Sequence, residues 1–297
     1  MNEVLRKLLL AIDGSEDAAL AARAAVDLAD RTGAGLHVVH AWQPMYPYVN
    51  YPASVSTDFV RIYEERAGSL LGVQVDQIEA EGGAVEESHL VMGAPVEAIL
   101  ELCGQIEPDL IVVGSRGMGP IRRVLTGSVS EGVVHHAGCP VLVVRGGEGG
   151  WPPSRILIGD DGSGDAERAA RLAARLGALY GVGAALVRAY ENPPSPIGGW
   201  SAEDRRRLDE TLVEEEAALD RRADEVEKVL GSRPETRMVE GDATMALLEI
   251  AGEEEKTLFA VGSRGLGLFS RLRLGSVSTK VLRTARGPVL VCTHHSG

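Results

Sequence analysis

Continuous apolar runs alternate with helix-compatible stretches along the whole chain. In the first half Leu8 to Ile12 is apolar throughout, as a strand covered on both faces requires. Glu16 to Arg31 is alanine-rich, is stopped by Gly33 and reads as a helix. Leu36 to Ala41 is a second strand, and Trp42 to Pro52, rich in Pro and Tyr, is a loop. Thr57 to Glu81 reads as helix, Val85 to Val91 as strand, and Pro95 to Ile106 as a helix with proline at its first turn. Leu110 to Val113, Ser128 to Ala137 and Pro140 to Val144 complete strand, helix, strand.

The second half repeats this order. Arg155 to Ile158 and Ala184 to Ala189 read as strands around a helix from Ala166 to Leu179, followed by a proline-rich loop, Asn192 to Pro196. Ser201 and Asp204 then open a long charged helix with the spacing of a capping box. Leu208, Leu212, Leu219, Val226 and Leu230 give that helix one apolar stripe, so its charges form a solvated face. Short apolar strands alternating with helices predict right-handed crossovers and a parallel sheet in each half. The fold class expected is α/β: two tandem, open, parallel five-stranded sheets of order 3-2-1-4-5 with helices on both faces.

The two halves align at a constant shift of 148 residues. It takes Asp13-Gly14-Ser15 to Asp161-Gly162-Ser163, Gly93 to Gly241, Gly114 to Gly262, Ser128 to Ser276 and Pro140 to Pro288. A period of this size is a domain, not a solenoid repeat. The glycine- and proline-rich stretch Arg145 to Pro153 is the expected linker, giving domains at 1–146 and 153–297.

Composition narrows the function classes. A net charge of −13 argues against a nucleic-acid partner and against anionic membrane surfaces. Cys103, Cys139 and Cys292 are far apart in sequence and match neither a disulfide framework nor a zinc site, which suits a reducing cytoplasm. The apolar run after Arg6-Lys7 ends at Asp13, too short for a signal-peptide core or a membrane span, so a cytoplasmic location is expected.

The candidate chemistry lies in a glycine pattern present twice. Gly114-Ser115-Arg116-Gly117 is followed after nine residues by Gly127-Ser128, and Gly262-Ser263-Arg264-Gly265 after nine by Gly275-Ser276. Glycines let backbone amides approach an anion, and a helix opening at Gly127-Ser128 offers unpaired N–H groups and a positive dipole end. In open parallel sheets a ligand sits beyond the strand carboxyl ends where strand order reverses. With order 3-2-1-4-5, Asp13 and Gly114 meet there. The lysine of a P-loop is missing, which excludes a P-loop NTPase.

Together these residues resemble the universal stress protein family, in particular its ATP-binding branch. Both halves match that family's G-x-x-G, nine residues, G-S pattern, and the resemblance extends from the early Asp-Gly-Ser to the closing Pro-Val-Leu-Val strand. It implies a tandem member binding ATP in each domain, with Mg²⁺ or Mn²⁺. It also implies site roles: Asp13 and Asp161 near the ribose or, through water, a metal ion; Ala41 and Ala189 meeting adenine through backbone groups; Val113 and Val261 lining its pocket. Gly114, Arg116, Gly117, Gly127, Ser128 and Val129 would surround ribose and phosphates, as would Gly262, Arg264, Gly265, Gly275, Ser276 and Val277. Arg122, Arg123, Arg271 and Arg273 lie inside the loops, within range of a triphosphate or simply solvated. The resemblance further implies that the closing strands pair in an internal pseudo-dimer, with exposed edges that also suit a homodimer.

Some features admit plainer readings. Asp13 also fits a cap for the helix beginning near Ser15. His135-His136 and His294-His295 are poor chelates, and Cys139 fits a structural thiol. The second half departs from the first where Pro95 becomes Ala243, Gly138-Cys139 becomes Arg286-Gly287, and Ile12 becomes Asp160. The extra carboxylate beside Asp161 can help hold a divalent ion or repel phosphate. No catalytic set is assignable from the sequence. Three activities therefore stand beside one another: an ATP-binding signalling or stress-response module, a slow ATPase or autophosphorylating protein using Ser128 or Ser276, and a scaffold that binds no nucleotide.

Overall fold

Leucine, valine and isoleucine runs become the inner strands, buried on both faces, while the edge strands carry exposed polar residues. In the first unit these are β1 (Lys7–Ile12), β2 (Gly35–Trp42), β3 (Val85–Met92), β4 (Leu110–Gly114) and β5 (Val141–Val144). They alternate with α1 (Glu16–Thr32), α2 (Ala53–Ala80), α3 (Pro95–Ile106) and α4 (Ser128–His136). Every strand pairing is parallel, in the order β3-β2-β1-β4-β5. The computed structural model describes residues 5–44, 53–115, 127–145, 150–191, 201–254, 256–265 and 274–293, the side chains of 53–59 excepted.

The second unit repeats this plan with β6 (Arg155–Gly159), α5 (Gly164–Tyr180), β7 (Ala184–Tyr190), α6 (Ala202–Leu230), β8 (Glu235–Glu240), α7 (Ala243–Ala251), β9 (Thr257–Gly262), α8 (Ser276–Thr284) and β10 (Val289–Cys292). Its order is β8-β7-β6-β9-β10, again parallel. The units divide between Trp151 and Pro152. Each sheet is therefore the expected doubly wound one. The central strands make the cores: Leu8, Leu9, Leu10, Leu110 and Ile111 in the first unit, and Ile156, Leu157, Ile158 and Phe259 in the second, are fully buried. Each such side chain removed from water contributes about 1.5–3 kcal/mol.

The helix ends follow local chemistry. Ser15 and Ser163 cap α1 and α5, accepting from the amides of Ala18 and Ala166, and Gly33 and Gly181 close the same helices in the left-handed conformation. The reciprocal capping box of Ser201 and Asp204 forms at the start of α6. Its apolar stripe is buried only toward the C-terminal end, at Leu219, Val226 and Leu230, while Leu208 and Leu212 are half-exposed. The cap of α1 is thus Ser15 and not Asp13. Cys103 and Cys139, remote in sequence, bring their sulfurs to 3.6 Å, and all three cysteines are buried thiols in no disulfide. Among the described residues no helix is long and apolar enough to cross a membrane.

Candidate functional site

Each unit has an Asp-Gly-Ser turn directly after its first strand. The Asp13 Oδ1 accepts from the Ser15 amide at 3.0 Å, and Asp161 Oδ1 does the same for Ser163. The intervening Gly14 and Gly162, at φ of 82° and 80°, adopt the left-handed backbone that such a turn requires. In the first unit β1 lies against β4, with Ala11 opposite Val113. Asp13 thus leaves the sheet beside the Val113–Gly114 strand end.

The described residues flanking the stretch after the fourth strand pair in the same way in both units. The Gly127 amide donates to the Ser115 carbonyl at 2.6 Å, and Gly275 to Ser263 at 2.7 Å. Ser130 Oγ then donates to the Ser115 and Gly127 carbonyls, as Ser278 does to those of Ser263 and Gly275. The serine inside each motif turns the other way: Ser115 Oγ donates to Asp17 Oδ2 and Ser263 Oγ to Asp165 Oδ2, at 2.5 and 2.6 Å. Sequence reasoning missed these pairs, although both repeat at the same 148-residue shift.

Gly127 and Gly275 are the N-caps of α4 and α8, and neither helix has a side-chain cap. A serine or aspartate there would occupy the first-turn amides; glycine leaves them for a ligand. Gly114 and Gly262 do different work. A Cβ at Gly114 would lie 2.6 Å from the Asp17 backbone, and one at Gly262 2.7 Å from the Ala166 nitrogen. These two glycines admit the first turns of α1 and α5 against the strand ends. Gly114 and Gly262 thus have a packing role in addition to the one expected of them, and Gly262 also lines a cleft in the second unit.

In the second unit these pieces enclose a cleft of about 250 Å³. Nine residues named for that half line it together: Asp161, Ala189, Val261, Gly262, Arg264, Gly265, Gly275, Ser276 and Val277. Gly159, Asp160, Ala166, Val187, Ala243, Leu247 and Ser278 complete the wall. Val187 with Ala189 on one strand face, and Ala243 with Leu247 one helical turn apart, could have been found from periodicity. Gly265 permits a close approach of its own, since a Cβ there would come within 2.5 Å of Asp161 Oδ2. In the first unit Asp13, Ala41, Val113, Gly114, Gly127, Ser128 and Val129 occupy the corresponding strand ends and helix start. Arg116 and Gly117 lie outside the described residues, as do Arg122, Arg123, Arg271, Arg273, His294 and His295.

The residues of each half match the description "Universal stress protein family", over residues 5–145 and again over 153–293. The chain belongs to the universal stress protein family. Its similarity to universal stress protein Rv2005c of Mycobacterium tuberculosis is 30% identity over 301 residues, covering 96% of each chain. A Thermus aquaticus universal stress protein is 37% identical over 142 residues, which is 48% of this chain and 100% of that one. Among solved structures, a universal stress protein from Archaeoglobus fulgidus superposes with a TM-score of 0.67 at 24% identity, covering 98% of this chain and 97% of that one. That likeness supports the fold.

In this tandem universal stress protein the two sites differ most at the floor. Asp160, fully buried, pairs with the buried Arg188 on β7, and Arg222 Nε on α6 lies 3.4 Å from its other oxygen. Arg188 also donates to Glu215 Oε2 at 2.6 Å. Asp160 is thus matched by two guanidinium groups and is not the free second carboxylate that would hold a metal or repel phosphate. The corresponding pair in the first unit is Ile12 and His40, where His40 Nδ1 meets the Ile12 carbonyl at 2.9 Å.

Proposed function

We propose that this chain is an ATP-binding module with one adenine-nucleotide site per unit, acting in stress response or signalling through occupancy of those sites. One observation carries the reading: the N-terminal turn of α8, capped by Gly275 without a side-chain acceptor, lines the same cleft as Asp161, Gly262 and Gly265. The unpaired amides and dipole of that turn suit phosphate. Gly262, Arg264, Gly265, Gly275, Ser276 and Val277 would hold ribose and phosphates, while Ala189 and Val261 would take adenine. Gly114, Arg116, Gly117, Gly127, Ser128 and Val129, with Ala41 and Val113, would do the same in the first unit.

The donor set also fits Mg²⁺ or Mn²⁺. Asp161 keeps one carboxylate oxygen beside the Gly265 backbone, at the edge of the cleft, and Asp13 holds the equivalent turn. Each would reach a phosphate-bound cation through water, which supplies charge neutralisation. Buried thiols in no disulfide suit work in a reducing cytoplasm.

The test is nucleotide released by acid precipitation from freshly purified protein and separated by chromatography. We expect near-stoichiometric adenine nucleotide, lost in the Gly127→Val/Gly275→Val variant; a Cβ at Gly275 comes within 3.3 Å of the Ser263 carbonyl, so circular dichroism checks that the variant remains folded. Absence of nucleotide from the wild type, with no binding of added Mg-ATP, overturns the reading in favour of a scaffold. Released phosphate measured on the loaded protein distinguishes a binding module from a slow ATPase.

A further inference from the structure

We propose that the first unit carries a transition-metal site, independent of the nucleotide clefts, formed by His37 on β2 with Glu87 and His89 on β3. His37 Nδ1 lies 3.1 Å from His89 Nε2, and Glu87 Oε2 lies 3.7 and 3.8 Å from those two nitrogens. The point equidistant from three atoms so spaced is about 2.1 Å from each, the bond length zinc makes to imidazole nitrogen and carboxylate oxygen. An ion displaced slightly from that plane keeps these lengths and leaves a further position for water or a small ligand. Two imidazoles and a carboxylate select a borderline divalent ion, Zn²⁺ or its neighbours, over Mg²⁺ or Ca²⁺.

The arrangement depends on a pairing irregularity. Leu36 faces Val85 but His37 faces Glu87, so Glu86 is an extra residue in the edge strand. A bulge of this kind re-aims the side chains around it. Glu87 and His89, two residues apart, share a face of β3 and meet His37 there, with the imidazole rings stacked at 5.4 Å. His37 is 5% exposed, and its Nε2 has no hydrogen-bond partner among the described residues. The nitrogen turned toward Glu87 and His89 is Nδ1, so Nε2 would take no part in holding the ion.

The second unit supplies a built-in comparison. At the same 148-residue shift it has Ala185, Glu235 and Arg237, and there Glu235 Oε1 simply pairs with Arg237 at 2.7 Å. The ligand set is confined to one copy of the repeat.

The experiment is titration of the full chain, stripped with a chelator and free of Mg²⁺, with Zn²⁺ by calorimetry and with Co²⁺ by visible absorption. One ion per chain at this site is expected, with Co²⁺ giving the intense bands of low coordination. Removing a residue that merely orients a metal ligand lowers affinity about 10–100-fold. His89→Gln and Glu87→Gln, both outside the buried core, should therefore lose about 100-fold or more of this affinity. His37→Ala/His89→Arg, which copies the second unit, should abolish the site, with circular dichroism checking that the chain remains folded. Wild-type protein that takes up neither ion, or single variants that bind as tightly as the parent, overturns the assignment.

Discussion

Arg188 donates to the carboxylate of Asp160 beneath the cleft of the second unit, where neither side chain is more than 6% exposed. A paired buried charge is tolerated; a stranded one is expensive. Removing one partner of such a pair costs about 3–5 kcal/mol, whereas replacing both by groups that pack well is near neutral. Arg188→Met should therefore destabilise the second unit toward the lower end of that range, because Arg222 still approaches Asp160. The double change Asp160→Ile/Arg188→His, which copies the first unit's Ile12 and His40, should recover most of the loss. Urea unfolding of the three proteins measures both effects.

Two glycines of one motif should separate stability from binding. At Gly262 an added methyl meets backbone and Cβ atoms of α5 at 2.7–2.9 Å, and these cannot yield without moving the helix. Gly262→Ala is expected to cost about 1–3 kcal/mol of stability, the range for overpacking a tight contact. At Gly265 the close neighbour is the Asp161 carboxylate, a side chain able to swing aside. Gly265→Ala should leave stability within about 0.5 kcal/mol but weaken Mg-ATP binding about tenfold or more, the loss of roughly one charge-assisted contact. Thermal melts with and without Mg-ATP distinguish the two.

An acid-sensitive contact sits at the start of α7. Asp242 caps the helix, accepting from the Thr244 and Met245 amides at 2.9 and 3.0 Å, and binds Lys280 Nζ at 2.7 Å. The Lys280 ammonium first, then the helix amides, hold its carboxyl down at about 2 from an ordinary 3.8. A lowered folded-state pKa makes this contribution fully present above pH 3.8 and progressively lost as pH falls toward 2. The pair is 40–55% exposed, so solvent and salt screen it and its effect is modest. Asp242→Asn, which keeps a competent cap, should reduce the pH dependence of unfolding in this window and its sensitivity to salt. Unfolding curves from pH 5 to pH 2 at two salt concentrations check the sign.

Much of the molecule was legible without coordinates, because it is set by short-range rules. Buried parallel strands read as unbroken apolar runs. Helix ends showed as Gly33, Pro95 and the Ser201–Asp204 box, since caps satisfy backbone groups within three or four residues. The constant repeat shift then joined these elements into two like units and placed Asp161, Gly265 and Gly275 in a single neighbourhood. They do line one cleft.

What remained illegible depends on partners far apart in the chain. Sequence spacing could not reveal that Gly262 makes room for the Ala166 backbone, that Ser263 binds Asp165, or that Arg188 neutralises Asp160. Nor could it bring Cys103 to Cys139, or turn His37 toward His89 across a one-residue bulge. Sequence alone determined the elements, their repeat and the glycine-framed loops, because hydrophobic burial and helix capping act locally. Tertiary structure decided which charges are paired and which glycines line the cleft. Those outcomes follow from strand register and helix approach, which only the packed sheet defines.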